Sequence, residues 1–192
     1  MGQFALRLVV GLGNPGNEYA RTRHNAGYWL VDELARRHGG HFRSESRHQG
    51  ELARVGIAGE DVWLLKPTTF MNLSGTAIQS VCAFYRIAPG QLLVAHDEID
   101  LPIGTLRLKE GGGHGGHNGL RDVIAKLGDA FWRLRIGVAH PGARDQVIDH
   151  VLKRPGAEEQ RVLDESIADA ADIIPVLIEQ GAQKAMQRLH TR

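Results

Sequence analysis

Short apolar runs recur along the 192-residue chain and predict the strands of a sheet. Patterns typical of buried strands occupy residues 6–10, 62–65, 92–95 and 134–139. A shorter amphipathic run at residues 105–108 predicts one further strand. These runs are separated by longer stretches with a different hydrophobic period, so the sheet is built from strands that are distant in the sequence.

Helical periodicity fills most of the remaining chain. It spans residues 26–37, about 73–85, 120–127, 146–152, 157–179 and 183–190. Pro155 and Gly181 interrupt the C-terminal part, and Pro175 predicts a kink. We expect Thr22 or Asn25 to cap the first helix. The polar stretch 39–50 has no clear hydrophobic period, so the sequence assigns it neither to a helix nor to a strand.

The alternation of strands and helices predicts an α/β fold, with a mixed and mostly parallel sheet sandwiched between helices. We found no internal repeat, linker or low-complexity tract, so we expect residues 1–192 to form a single domain. The composition agrees with this expectation, because 42% of the residues are hydrophobic and 23% are charged. A chain of this length can bury a core of its own.

The cellular setting is inferred from cysteine use and from the lack of long apolar segments. The single cysteine, Cys82, excludes an internal disulfide framework, favours a reducing compartment and fits a helix core position. No apolar run approaches the roughly 20 residues that a membrane span needs, and the first residues lack the apolar region of a secretion signal. We therefore expect a cytoplasmic protein that does not associate with membranes.

Charge is unevenly distributed although the formal net charge is only +1. Residues 104–135 carry six Lys and Arg residues against three acidic ones, whereas residues 157–180 carry seven acidic residues against one Arg. The basic segment is suited to a polyanion, but it is weak evidence when taken alone.

The first candidate site follows the strand predicted at residues 6–10. Its sequence, Gly11-Leu-Gly-Asn-Pro-Gly16, has the G-x-G-x-x-G spacing of dinucleotide-binding loops. The acidic residue expected about 20 positions later is missing, because that region reads Arg36-Arg-His-Gly-Gly40. A nucleotide cofactor is therefore less favoured than a structural turn or a loop that presents Asn14.

Histidine and asparagine side chains supply two further candidates. His24 has an imidazole that accepts protons near neutral pH, and Thr22 and Asn25 lie beside it, although the chain has ten histidines and most histidines have no catalytic role. Asn72 follows the strand predicted at 62–65 and is interpreted as a helix N-cap or as a donor to substrate. On the sequence alone we favour the cap.

The last candidate combines Asp97 with the glycine-rich stretch 111–119. Asp97 follows a buried strand, where it is either a carboxylate that orients an imidazole or a turn residue. The glycine stretch can bring backbone amides to an anion. His96, Asp97, His114 and His117 also suggest a metal, but their spacing matches no compact ligand motif, so we disfavour a metal site.

Taken together, these motifs resemble those of the bacterial peptidyl-tRNA hydrolase family. The resemblance covers nearly the whole chain and rests on Gly11-Leu-Gly-Asn-Pro-Gly16, Tyr19, Thr22-Arg-His-Asn25, Lys66-Pro-Thr-Thr-Phe-Met-Asn-Leu-Ser-Gly75, His96-Asp-Glu-Ile-Asp-Leu-Pro102, Gly116-His-Asn-Gly119, Arg133-Leu-Arg-Ile-Gly137 and His140-Pro-Gly142. It implies hydrolysis of the ester between a peptide and the terminal ribose of tRNA, which recycles tRNA for translation. It also implies a monomer that needs neither metal nor cofactor.

The resemblance further implies a role for each matching residue. His24 is the general base for water, Asp97 holds it, and Asn14 recognises the acylated amino end of the peptide. The residues implied in binding substrate and tRNA are Tyr19, Phe70, Met71, Asn72, His117 and Asn118 around the groove, with Lys109 and Arg135 on tRNA phosphate. Two other functions stay open, namely an RNA-binding protein that lost hydrolysis and a nucleotide-dependent oxidoreductase.

Overall fold

A single mixed sheet organises residues 4–191, which the computed structural model describes. Its strands are β1 (Leu8–Gly11), β2 (Arg43–Glu45), β3 (Gly50–Ile57), β4 (Glu60–Pro67), β5 (Leu92–Glu98), β6 (Leu106–Glu110) and β7 (Trp132–Gly137). The helices are α1 (Ala26–His38), α2 (Ser74–Tyr85), α3 (Asn118–Leu127), α4 (Val147–Val151), α5 (Ala157–Gln180) and α6 (Ala182–His190). The fold class is α/β, as the sequence predicts.

The sheet has the strand order β2-β3-β4-β1-β5-β7-β6. The four central strands β4, β1, β5 and β7 are parallel, and the outer strands pair antiparallel to their neighbours. The chain leaves β1 toward β4 and later crosses to β5 on the other side of β1, so the strand order reverses there. In open α/β sheets, ligands bind beside the carboxyl ends of the strands at such a reversal. The segments that follow β1 and β5 meet at this position.

Both faces of β1 and β5 are buried. Val9 and Leu93 point toward α1 and α5, where they join the core that contains Leu30 and Ile174. Their neighbours Leu8, Val10, Leu92 and Val94 point to the other face and join the core beneath α2 and α3. Because side chains alternate between the two faces of a strand, burial on both faces requires an uninterrupted apolar run. This is why β1 and β5 are conspicuous in the sequence.

Two glycines bring the start of α1 close to the ends of the central strands. A Cβ atom on Gly11 would collide with the carbonyl oxygen of Gly27, and a Cβ atom on Gly27 would collide with the carbonyl oxygen of Ala95. Only glycine permits this approach of one backbone to another. As a result, the turn that precedes α1 lies directly beside the carboxyl end of β5.

Most predicted elements are present, with ends shifted by a few residues, but two strands were missed. The unassigned stretch 39–50 contains β2, and β3 follows it. The predicted side-chain cap of α1 is wrong, because neither Thr22 nor Asn25 makes a capping hydrogen bond. Asn72 is likewise not a cap, since α2 begins at Ser74. Pro175 lies inside α5, which continues through it. In the described part of the chain, no helix is long and apolar enough to cross a membrane.

Candidate active site

A histidine and a carboxylate meet at the carboxyl end of β5. Asp97 is 3% exposed, and its Oδ2 lies 2.8 Å from Nδ1 of His24, which belongs to the 3₁₀ turn Arg23–Asn25 before α1. A carboxylate can only accept hydrogen bonds, so Nδ1 of His24 carries the proton in this pair. Nε2 of His24 therefore keeps its lone pair, and the residue lines a cavity.

The electrostatic balance in this pair makes His24 a stronger base than a free imidazole. Burial is the largest influence and lowers the pKa of His24, but attraction and hydrogen bonding by Asp97 outweigh it, so the pKa is raised above 6.5. Burial would raise the pKa of Asp97, but His24 and His117 together hold it well below its usual range. Asp97 is thus a buried carboxylate that stabilises a proton on His24.

His117 is the second partner of Asp97. Its Nε2 lies 2.8 Å from Oδ1 of Asp97, while its Nδ1 accepts the backbone N–H groups of Gly119 and Leu120 at 3.1 and 3.2 Å. Since Nδ1 accepts these two bonds at the N-terminus of α3, the proton of the neutral ring is on Nε2 and is donated to Asp97. Both nitrogens of His117 are therefore engaged, unlike those of His24.

Asn14 lies in the loop after β1 with its side chain fixed on one side. Its Oδ1 accepts the backbone N–H of Met71 at 2.7 Å. Its own backbone N–H and carbonyl are bonded to the Asn25 side chain at 2.8 and 2.9 Å. Because Met71 N–H can only donate, the Asn14 amide must have its oxygen on that side. The Nδ2 group has no acceptor among the residues described, and Asn14 lines the cavity.

The cavity has a volume of about 300 Å³ and is lined by both polar and apolar residues. Asn72 and Asn118 are exposed at its edge, and Phe70 is 59% exposed there. Tyr19 lies outside the lining and packs edge to face on Phe70, with 6.5 Å between ring centroids. The apolar lining residues are Phe70, Met71, Ile99, Val147, Ile148, Val151 and Leu152. Such a cavity accommodates an apolar group next to a site of proton transfer.

A metal ion fits this cluster less well than a set of hydrogen bonds does. His24, Asp97 and His117 offer ligand-type atoms that all lie within 4.8 Å of one another. However, the two imidazole nitrogens that face Asp97 both carry the hydrogen of a 2.8 Å bond. A cation between them would have to displace both hydrogens, because imidazole binds metals only through a deprotonated nitrogen.

A second cavity of about 220 Å³ lies beside the first and shares Glu98 and Gly115 with it. Its lining includes Lys109 and Arg135. The Arg135 Nε donates to Glu98 Oε1 at 3.0 Å, so this arginine is already paired with a carboxylate. Lys109 is exposed on β6. The two cations predicted for phosphate are thus brought together at one edge of the candidate site.

Known proteins resemble this chain along nearly its whole length. The family model for peptidyl-tRNA hydrolase matches residues 8–192. A peptidyl-tRNA hydrolase from Halorhodospira halophila is 57% identical over 185 residues, which cover 96% of this chain and 95% of that protein. One from Escherichia fergusonii is 54% identical over 188 residues, or 97% of each chain. This chain belongs to the peptidyl-tRNA hydrolase family. The crystal structure of the family member from Acinetobacter baumannii has a TM-score of 0.94 at 45% identity, covering 98% and 96% of the two chains.

The family's site residues, as the motifs predict them, lie at or near the two cavities. The first cavity is lined by Asn14, His24, Phe70, Met71, Asn72, Asp97, His117 and Asn118, and the second by Lys109 and Arg135. Only Tyr19 lies outside both linings. The interpretation of Asn72 as a helix cap gives way to the alternative of a group that faces the cavity. The glycine spacing after β1 is better explained by a loop that presents Asn14 than by a nucleotide site.

Three residues have structural roles that the sequence did not indicate. Arg133 is buried and donates to the carbonyl oxygens of Gly112 and Gly113, both at 2.6 Å, which fixes the glycine-rich loop. His117 acts as the helix N-cap of α3, although histidine is not among the residues usually expected there. Arg23 donates from Nη1 to the carbonyl oxygen of His150 in α4, far away in the sequence. Of the three, only the cap lies near a local signal, namely the helical pattern predicted at residues 120–127, which starts three residues after His117.

Proposed function

We propose that this chain hydrolyses the ester bond of peptidyl-tRNA, with His24 as the general base for water. The observation that carries the proposal is the 2.8 Å bond between His24 Nδ1 and Asp97, which leaves Nε2 of His24 as a proton acceptor at the cavity. A positioned base of this kind contributes about 10²- to 10⁴-fold to a rate. An ester is already an activated acyl group, so no covalent enzyme intermediate is needed.

The proton has a complete path in this mechanism. Water loses a proton to Nε2 of His24 as its oxygen attacks the ester carbonyl. The imidazolium that forms is stabilised by Asp97, whose carboxylate lies against the other ring nitrogen. The same proton then passes to the ribose oxygen when the ester bond breaks, giving free tRNA and a peptide carboxylic acid, which loses its remaining proton to solvent. The exposed amide groups of Asn72 and Asn118 at the cavity edge supply donors for the developing oxyanion and for water.

Asn14 supports selectivity for blocked substrates. Its oxygen is held by Met71 N–H, so the group that remains for substrate is the Nδ2 donor. An N-acylated substrate offers a carbonyl oxygen that accepts this hydrogen bond, whereas a free α-ammonium group offers only donors. The geometry thus favours peptidyl-tRNA over ordinary aminoacyl-tRNA, since a site built around a hydrogen bond discriminates strongly against a ligand that lacks its partner.

The rest of the substrate binds at the second cavity and at the entrance of the first. Lys109 and Arg135 bind tRNA phosphate. Phe70 and Met71, with Tyr19 packed on Phe70, contact the substrate at the entrance of the first cavity. The proposal needs no metal or cofactor, because every proton transfer is made by side chains in the cluster. We further propose that the protein works as a cytoplasmic monomer, with tRNA as its partner and no membrane association.

The test is release of free tRNA from N-acetyl-aminoacyl-tRNA with a chelator present. We expect turnover by the wild-type chain and a loss of at least about 10²-fold in a folded His24→Ala variant. Binding of tRNA without turnover by the wild-type chain would favour the alternative, an RNA-binding homologue that lacks hydrolysis. Turnover that vanishes with the chelator and returns with a divalent cation would contradict the metal-independent mechanism.

A further inference from the structure

The buried guanidinium of Arg23 lies one residue before His24 and takes no part in the mechanism above. Arg23 is 8% exposed, and its Nη1 donates to the carbonyl oxygens of His150 at 2.9 Å and Lys153 at 3.5 Å. The Arg23 backbone N–H also donates to Lys153 O at 3.1 Å. These carbonyls belong to the last turn of α4 and the residues just after it. Arg23 therefore fastens the segment before α1 to the C-terminal end of α4.

The partners of Arg23 suit a cation. The carbonyls at a helix C-terminus lack intrahelical partners and carry partial negative charge, which stabilises a positive group placed there. Its Nη2 lies 2.8 Å from Oε2 of Glu159, in the first turn of α5. One guanidinium thus bridges the end of α4 and the beginning of α5. A planar fork of donors can do this, whereas a lysine amine acts as a single point charge.

The element that Arg23 holds contributes an apolar wall to the catalytic cavity. This apolar wall consists of Val147, Ile148, Val151 and Leu152. Ile148 is 69% exposed, so it is supported on the cavity side by few neighbours and depends on the placement of α4. A helix of five residues has little stability of its own, because a first turn is costly to form. Its position must come from contacts such as those made by Arg23.

We propose that Arg23 is a positioning residue, which holds the apolar wall at a fixed place in the cavity that His24 also lines and thereby sets the affinity for the acyl part of the substrate. The inference rests on the proposed hydrolysis of peptidyl-tRNA. Arg23 touches neither the water nor the ester. It acts through α4, so its loss changes binding of large apolar acyl groups and leaves the proton transfer between His24 and Asp97 intact.

The decisive measurement is the separation of KM from kcat in Arg23→Gln. Relative to wild type, we expect KM for N-acetyl-phenylalanyl-tRNA to rise about tenfold, since bonds to a charged group are lost, while kcat and the pH profile stay unchanged. For N-acetyl-glycyl-tRNA, whose glycine has no side chain to contact the apolar wall, we expect little change in KM. An equal loss on both substrates, or a fall in kcat with KM unchanged, would mean that Arg23 only maintains the fold.

A double-mutant cycle with Ile148→Ala tests the route of action. If Arg23 acts through the apolar wall, Ile148→Ala raises KM in the wild-type background and has almost no further effect in the Arg23→Gln background. Independent, additive effects would overturn the inference. Failure of the wild-type chain to release tRNA would instead contradict the proposed function, so the two failures are distinguishable.

Three further variants keep the test decisive. Arg161→Gln makes the same chemical change on the exposed surface of α5, where Arg161 pairs with Glu158 and Glu165, and should leave both substrates unaffected. Glu159→Gln removes one partner that is 45% exposed in its side chain, so we expect less than about a threefold change in KM. If Arg23→Gln does not fold, Arg23→Lys serves instead, and a KM as low as that of wild type in this variant would refute the need for a guanidinium.

Discussion

Replacing Asp97 by asparagine changes which nitrogen of His24 carries the proton. His117 donates its Nε2–H to Oδ1 of Asp97 and is held in that tautomer by two backbone N–H groups on its other nitrogen. An asparagine side chain has only one oxygen, and the Nε2–H of His117 needs that oxygen as its acceptor. The NH₂ group of the introduced amide must then face His24, so Nδ1 of His24 becomes a hydrogen-bond acceptor. The ring proton moves to Nε2, the nitrogen that accepts the proton of water in the wild type.

The expected loss is therefore larger than the removal of one charge. Asp97→Asn should lower kcat by about 10³- to 10⁴-fold, the loss expected when a catalytic histidine is held in the wrong tautomer. Removal of the negative charge also lowers the pKa of His24, because Asp97 raises it in the wild type. The acidic limb of the residual pH–rate profile should then move to lower pH.

The same reasoning predicts a partial rescue by a second substitution. His117→Asn removes the ring that demands the oxygen of the introduced amide, while an asparagine at position 117 still caps α3. In Asp97→Asn/His117→Asn, the amide at position 97 is free to turn its oxygen toward His24, which restores the proton to Nδ1. Single-turnover release of tRNA should be at least about tenfold faster than in Asp97→Asn alone. A double variant no faster than the single one, or an Asp97→Asn enzyme within about tenfold of wild type, would refute this account of the tautomers.

Three further outcomes follow from the cavities. His24→Ala should lower kcat at least about 10²-fold with tRNA affinity near wild type in a filter-binding assay, and near-normal turnover would remove His24 as the base. Asn14→Asp keeps an acceptor for Met71 N–H but lacks the Nδ2 donor. The rate on N-acetyl-aminoacyl-tRNA divided by the rate on free aminoacyl-tRNA should therefore fall about 30-fold or more. An unaltered ratio would contradict the recognition role of Asn14. Lys109→Ala and Arg135→Ala should each reduce the slope of log affinity against log salt by roughly 0.7 to 0.9 with kcat nearly unchanged, whereas an unchanged slope would place these side chains away from phosphate.

The fold was predictable where burial leaves a simple pattern. The parallel central strands β1 and β5 are buried on both faces and appear as continuous apolar runs. β3 was missed because it includes Glu51, Arg54 and two glycines, and its apolar residues do not alternate strictly. Its pairing with β4, which the sequence alone does not display, is what holds this segment in a strand.

Side-chain partners were harder to predict than elements. Asn25 has the right position and residue type for a helix cap, yet its amide bonds to the backbone of Asn14, eleven residues earlier. The choice between these partners depends on the close approach of two loops, which no local pattern encodes. His117 and Asp97 are 20 residues apart, and their bond arises only because the glycine-rich loop brings the start of α3 to the end of β5.

The 3₁₀ turn Arg23–Asn25 explains why three consecutive residues of one motif serve three different parts of the site. A 3₁₀ helix has three residues per turn, so successive side chains point in directions about 120° apart. Arg23 consequently meets the end of α4, His24 meets Asp97, and Asn25 meets the loop that carries Asn14. An extended backbone, in which successive side chains point to opposite sides, would not aim the three side chains at these partners at the same time. The spacing within this motif is therefore fixed by the geometry of one turn, and an insertion within it would separate the proton acceptor from both the apolar wall and the loop that we propose recognises the peptide.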